Sequence, residues 1–213
     1  MYIRAASDHS LLVSLGSEIA RETHRDVLRL TRLLEGLAGV RNLHPGYASV
    51  LVSFDPLRAD PRALEQTIRR LFDEAGHMPL PEPRTVEIPV IYGGEGGPDL
   101  VAVAAFHHLR PEEVIALHSG AEYLVYFLGF SPGFPYLGGL PASLATPRLD
   151  VPRKHVPAGS VAIGGSQAGV YPVASPGGWR IIGRTPLALF DPGRTPPTLL
   201  QMGDRVKFVP IPE

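Results

Sequence analysis

Two periods of apolar and polar positions alternate through the first part of the chain. Tyr2–Ala5 and Leu11–Leu15 read as short strands joined by the polar turn Ser7-Asp8-His9-Ser10. Val27, Leu30, Leu34 and Leu37 then recur at helical spacing, with glycines at 36 and 39 near the helix end. The period of two returns at 48–54, which sets Val50, Val52 and Phe54 on one strand face opposite Ser49 and Ser53. Asp60 and Pro61 suit the cap and first position of a second helix, with Leu64, Ile68 and Leu71 inward and Gly76 at its close. The order is β-β-α-β-β-α or close to it, a small sheet covered by two helices.

Met78-Pro79-Leu80-Pro81-Glu82-Pro83 continues neither a helix nor a central strand and reads as a linker. Beyond it Val86–Tyr92 is a strand, Pro98–His108 and Pro111–His118 are helices, and Tyr123–Leu128 is the strongest strand signal in the chain. Short strands follow at Ser160–Ile163, Val170–Tyr171, Trp179–Ile182, Leu187–Phe190 and Arg205–Val209. Turn residues separate each from the next, a pattern of closed barrels and sandwiches. The expectation is therefore an α+β N-terminal domain, 1–80, followed by a mainly-β domain, 81–213.

Composition narrows the function classes. A net charge of −1 lacks the basic face that nucleic acid requires. With no cysteine, disulfides, zinc thiolates and thiol nucleophiles are excluded. No apolar run reaches membrane-spanning length and the N-terminus has no signal-peptide layout, so a soluble cytoplasmic protein is expected.

The candidate chemistry gathers in residues 127–184, where Gly and Pro interleave with Phe, Tyr and Trp. Proline fixes φ and glycine permits φ > 0, so such loops hold aromatics in a defined shape, as a pocket or a partner face. Gln167, Tyr171, Trp179 and Arg184 are candidates for one wall, with Trp179 and Tyr171 equally suited to a barrel core. Phe134 and Tyr136 are expected as exposed interface rings. Arg153-Lys154-His155 is a basic cluster that suits a carboxylate or phosphate, or a solvated turn. Ser160, Ser166 and Ser175 lie near glycines, but none stands in a nucleophile-elbow motif. Gly93-Gly94-Glu95-Gly96-Gly97 lacks the lysine and hydroxyl of a Walker loop and reads as a flexible connector. The histidines, His107, His108 and His118 among them, have no ligand spacing; exposed or capping positions are expected and no metal.

The segments Gly129–Leu137, Thr146-Pro147-Arg148, Val151-Pro152-Arg153, Val156–Ile163 and Ser175–Trp179, with Gly97–Leu100, resemble as a set the allophanate hydrolase subunit 1 family. That family is also called the carboxyltransferase C/D subdomain family. The resemblance runs from about Pro98 to Phe208 and implies that the barrel is cyclophilin-like. It further implies a subunit of an ATP-dependent 5-oxoprolinase or a related amide- or urea-directed complex. Such a subunit is inactive without a carboxyltransferase A/B-type partner, and ATP acts at the level of the complex, with none assigned to this chain. A regulator that binds and inhibits a sensor histidine kinase is the alternative, and a peptidyl-prolyl isomerase is suggested by the barrel alone. On the enzyme reading Arg153, Gln167 and Arg184 are candidate catalytic residues, with Phe134, Tyr136, His155, Ser166, Tyr171, Ser175 and Trp179 lining a substrate site or interface. Ala168 stands where the family pattern has threonine, which removes a hydroxyl.

Overall fold

The computed structural model describes residues 1–76, 79–80 and 82–212. Met78 and Pro81 of the expected linker lie outside the described residues. The chain divides into two compact units, Met1–Glu82 and Pro83–Glu213.

In the first unit β1 (Tyr2–Ser7), β2 (Ser10–Ser14), β3 (Val40–Pro45) and β4 (Ser49–Phe54) form a sheet in the order β1-β2-β4-β3. All of its pairings are antiparallel. The alternation along β4 buries Val50, Val52 and Phe54 and leaves Ser49, Leu51 and Ser53 half-covered. Helices α1 (Arg21–Leu34) and α2 (Pro61–Glu74) supply Val27, Leu30, Leu34, Leu64 and Ile68 to the same unit's core. The Asp60 carboxylate accepts from the Arg62 amide (3.2 Å), and Pro61, which has no amide to satisfy, opens α2. α1 stops at Leu34, short of Leu37, and Gly36 follows at φ +76°, a conformation open to glycine at little cost.

The second unit is a closed barrel with a two-stranded ribbon beside it. Its strands are β5 (Thr85–Tyr92), β6 (Tyr123–Leu128), β7 (Pro135–Gly138), β8 (Arg153–Val156), β9 (Ser160–Gly164), β10 (Gln167–Val170), β11 (Ser175–Gly177), β12 (Arg180–Arg184) and β13 (Arg205–Pro210). The barrel closes in the order β10-β7-β6-β13-β5-β12-β9, while β8 and β11 pair apart from it. β5 and β13 run parallel, from Thr85 against Arg205 to Val90 against Pro210; the other pairings are antiparallel. Helices α3 (Leu100–Phe106) and α4 (Pro111–Gly120) add Leu100, Val103 and Val114 to a core built on Ile88, Val125, Ile163, Ile182 and Phe208.

Two strand expectations are corrected. Leu187–Phe190 is not a strand: Pro186 and Pro192 bracket it, and only an isolated bridge from Phe190 to Thr198 remains. β7, β8 and β11 are strands that hydropathy did not signal, because β7 opens on proline and β11 is Ser-Pro-Gly. Proline is tolerated where its missing amide owes no ladder bond, at a strand start or on an edge.

Candidate functional site

β9 is buried along its whole length, which a barrel strand with one face in solvent would not be. Side chains alternate across a strand. Val161 and Ile163 enter the main core, whereas Ala162 belongs to a second cluster with Phe134, Val156, Tyr171, Trp179 and Ile181. On β10, Ala168 and Val170 likewise point to the main core. A Cβ at Gly164 would collide with the indole of Trp179, and one at Gly169 would press on the rings of Phe134 and Trp179, so these two glycines make room for the layer. The barrel thus carries an aromatic layer on its outer wall, and the glycines that hydropathy reads as turns are its seat.

Phe134 is the hub of this layer. Its ring meets Tyr171 at 5.1 Å, Tyr136 at 5.2 Å, and Phe130 and Trp179 at 5.5 Å between centroids, all near edge-to-face. Tyr136 also stacks on Phe127 at 4.5 Å. Phe134 is 2% exposed and Tyr136 half-buried, which corrects the expectation that these two present an open interface. The exposed ring is Phe130, at 62%. Its φ of +67° places a bulky side chain in the left-handed region, at roughly 1–2 kcal/mol against an ordinary backbone.

Polar groups rim the layer. The Arg148 guanidinium lies over the Trp179 ring, 5.4 Å from its centroid. Arg153 Nη2 donates to Asp99 Oδ1 (2.7 Å), and Asp99 Oδ2 accepts from the Ile181 amide (2.7 Å). Arg153 therefore already grips a carboxylate, that of Asp99, and ties β8 to the start of α3 and to β12. Its Nη1 is buried without a partner among the described residues, as are the hydroxyl oxygens of Ser131 and Ser175. Burial pushes the Tyr171 phenol up, opposed by the Trp179 amide that donates to it and by the charges of Arg148 and Arg153.

The other expected site residues do not converge on one point. Gln167 opposes Gly164 in register and so shares the Trp179 side of the sheet, and Ser166 is exposed at the β9–β10 hairpin. Arg184 opposes Ser160 at the other end of β9, about 13 Å along the strand, exposed, with Nε donating to the Ala158 carbonyl (3.1 Å). His155 is exposed on β8, and Ser175 pairs with Val156 across the ribbon. Gln167 and Arg184 thus lie at opposite ends of β9, with Tyr171 at the Arg184 end, where its amide donates to the Ser160 carbonyl (2.9 Å). Asp99 and Arg148 lie inside the motif segments, but neither they nor Phe130 is among the expected site residues.

The glycine loop is no loose connector. The Gly93 amide donates to the Ile182 carbonyl (3.0 Å), the Gly97 amide to the Gly93 carbonyl (2.7 Å) and the Asp99 amide to the Ile181 carbonyl (2.8 Å). A Cβ at Gly97 would meet the Ile182 carbonyl, which explains the glycine there. His118 is fully buried rather than exposed or capping. Its Nδ1 lies 2.8 Å from the Tyr92 hydroxyl, and the Tyr123 hydroxyl donates to its carbonyl (2.9 Å). Burial holds the imidazole down to about 3, so it is neutral. Among the described residues no His, Asp or Glu group is placed to hold a metal ion, and no helix is long and apolar enough to cross a membrane.

Residues 1–200 match the model of the carboxyltransferase domain, subdomain C and D. A 5-oxoprolinase subunit of Escherichia coli O157:H7 is 47% identical over 96% of this chain and 93% of its own length. The crystal structure of TTHA0988 superposes with a TM-score of 0.85 at 38% identity over 96% of this chain; the chain spans only 40% of TTHA0988. The Kluyveromyces lactis urea amidolyase, at 23% identity and a TM-score of 0.78, shares the fold over 99% of this chain and 15% of its own.

Proposed function

The chain belongs to the carboxyltransferase C and D subdomain family, and from that premise we propose that it is a non-autonomous subunit of an ATP-dependent 5-oxoprolinase. The carrying observation is the near full-length 47% identity to the Escherichia coli 5-oxoprolinase subunit. In the balanced reaction 5-oxoproline, ATP and two waters give glutamate, ADP and phosphate. One water adds across the ring C–N bond, its oxygen to the carbonyl carbon and a proton to the nitrogen. The other takes up the transferred phosphoryl group.

Two features support dependence on a partner of the carboxyltransferase A/B type. The sequence has neither a Walker loop nor a nucleophile elbow. In TTHA0988 a likeness of this chain occupies only two-fifths of a longer polypeptide. The same reading makes 1–80 and 81–213 two folding units, the second cyclophilin-like, in keeping with the division into Met1–Glu82 and Pro83–Glu213. Arg184, exposed and with its side chain bonded through Nε alone among the described residues, is the better placed of the two candidate arginines to meet a carboxylate or phosphate.

The test is reconstitution. The purified chain should hydrolyse neither ATP nor 5-oxoproline, and adding the cognate subunits should give 5-oxoproline-dependent ADP and glutamate in equal amounts. Turnover by the isolated chain, or a complex whose ATP hydrolysis ignores 5-oxoproline, would overturn the reading. Arrest of a sensor kinase's autophosphorylation by a chain that supports no turnover would make it a regulator instead.

A further inference from the structure

We propose that Phe130 is a preorganised anchor by which the barrel unit docks on its cognate carboxyltransferase A/B-type subunit, entering an apolar recess with an acidic rim. The proposal rests on the subunit reading and adds the place and chemistry of the contact. Gly129-Phe130-Ser131-Pro132-Gly133-Phe134 is a loop fastened by its own backbone. The Gly129 amide donates to the Phe134 carbonyl (3.0 Å), the Ser131 amide to the Gly129 carbonyl (2.8 Å) and the Phe134 amide to the Ser131 carbonyl (3.0 Å). Gly133, at φ +81°, is wedged against Pro172, Leu189 and Phe190. Phe134 is the hub of the aromatic layer. The loop is thus held on both sides of Phe130, while that residue keeps an unfavourable backbone and leaves 62% of its surface in solvent.

Glycine would relieve the backbone, and a polar residue would remove exposed apolar surface, so the fold itself does not ask for phenylalanine here. A rigid, exposed aromatic is what an interface uses, because little side-chain entropy is lost on docking. Phe130 leans edge-on against Phe134 at 5.5 Å and Tyr171 at 6.4 Å, which fixes the direction in which the ring protrudes. The acidic rim follows from charge. Exposed Arg148 caps Trp179 in this same layer, and its charge reaches Tyr171, the ring on which Phe130 leans. Opposite charge around a buried aromatic anchor speeds encounter and fixes orientation.

The experiment compares wild type, Phe130→Gly and Phe130→Leu for binding to the purified cognate subunit by calorimetry, and for melting alone. Phe130→Gly should keep or raise the melting temperature while weakening binding about 30-fold or more. Phe130→Leu, which keeps apolar bulk, should recover part of that loss. Binding by wild type should also weaken with salt, with a shallower dependence once Arg148→Ala is introduced. A lower melting temperature with affinity intact would make Phe130 a structural lock and overturn the proposal. Concentration-dependent self-association lost in Phe130→Gly would assign the ring to a second copy of this chain and equally overturn it. If wild type does not bind the cognate subunit at all, it is the subunit reading that fails.

Discussion

The barrel unit carries two aromatic clusters that differ in what they leave uncovered. Around His118, Tyr123 and Phe208 pack with ring centroids 5.3 and 4.6 Å from the imidazole, and Tyr92 bonds its Nδ1. His118, Tyr123 and Phe208 are each at most 1% exposed. Around Phe134 the rings are as close, yet Phe130 stands 62% exposed, Tyr136 half-buried, and the Arg148 guanidinium lies over Trp179 at the edge. The first cluster contains the more perturbed ionisable group and the second contains the outlier backbone. Desolvation alone moves a titratable group whether or not anything can reach it. An exposed ring on a strained, immobilised turn has no such internal explanation. The docking proposal therefore rests on the open cluster, whereas the histidine is a core residue with a hydrogen bond.

The largest effect that would break this contrast concerns Phe134, the buried centre of the open cluster. Phe134→Ala should cost about 3–5 kcal/mol in chemical denaturation, because it empties the centre of the layer under Tyr171 and Trp179. A loss below about 1 kcal/mol would mean the layer is a loose surface feature and Phe130 has no rigid base.

Next in size is the pH response of the sealed cluster. The imidazole of His118 is held near 3 in the fold and returns to about 6.5 when unfolded, so between those values the unfolded chain binds more protons. Stability from this group is therefore complete above about 6.5 and lost as pH falls toward 3. From pH 7 to 5, wild type should lose about 2 kcal/mol more unfolding free energy than His118→Gln. Equal losses in the two proteins would show that protons reach His118 in the native state and that the cluster is not sealed.

One half of this picture was readable from local pattern. Val50, Val52 and Phe54, and the cap at Asp60, follow from periods and local bonds that involve a few neighbouring residues. The outer layer does not, because its parts come from far apart: Asp99 and Arg153 are separated by 54 positions, and Gly164 is a seat only once Trp179 lies on it. The sequence pattern points to Phe134 and Tyr136 as the exposed rings, whereas the ring that stands in solvent in that loop is Phe130. That difference rests on the backbone turning through φ +67° at Phe130, which no side-chain pattern reports. His118 was misjudged for a related reason: its place before Gly120 fits a helix end, while its burial comes from β13 packing on α4.

The smallest predicted effect separates two roles for Arg153. If it gripped a substrate carboxylate, its guanidinium would have to offer two parallel donors outward. Instead Nη2 donates to Asp99 and Nη1 is shut off from solvent, so the fork is turned into the protein. Asp99 in turn accepts the Ile181 amide, which makes the pair a strut between β8, α3 and β12. The arginine side chain is 31% exposed, so solvent screens the pair and its worth is modest. Arg153→Lys keeps the charge but gives up the planar geometry, and should cost about 1 kcal/mol of stability. In the reconstituted complex its kcat/KM should stay within about threefold of wild type, below the tenfold that 1.4 kcal/mol of lost transition-state binding would bring. Arg184→Lys should show the reverse, a melting temperature unchanged and KM for 5-oxoproline or ATP raised. A tenfold fall in kcat/KM for Arg153→Lys with melting unchanged would reverse the assignment, and would require the guanidinium to swing out of the strut when the partner binds.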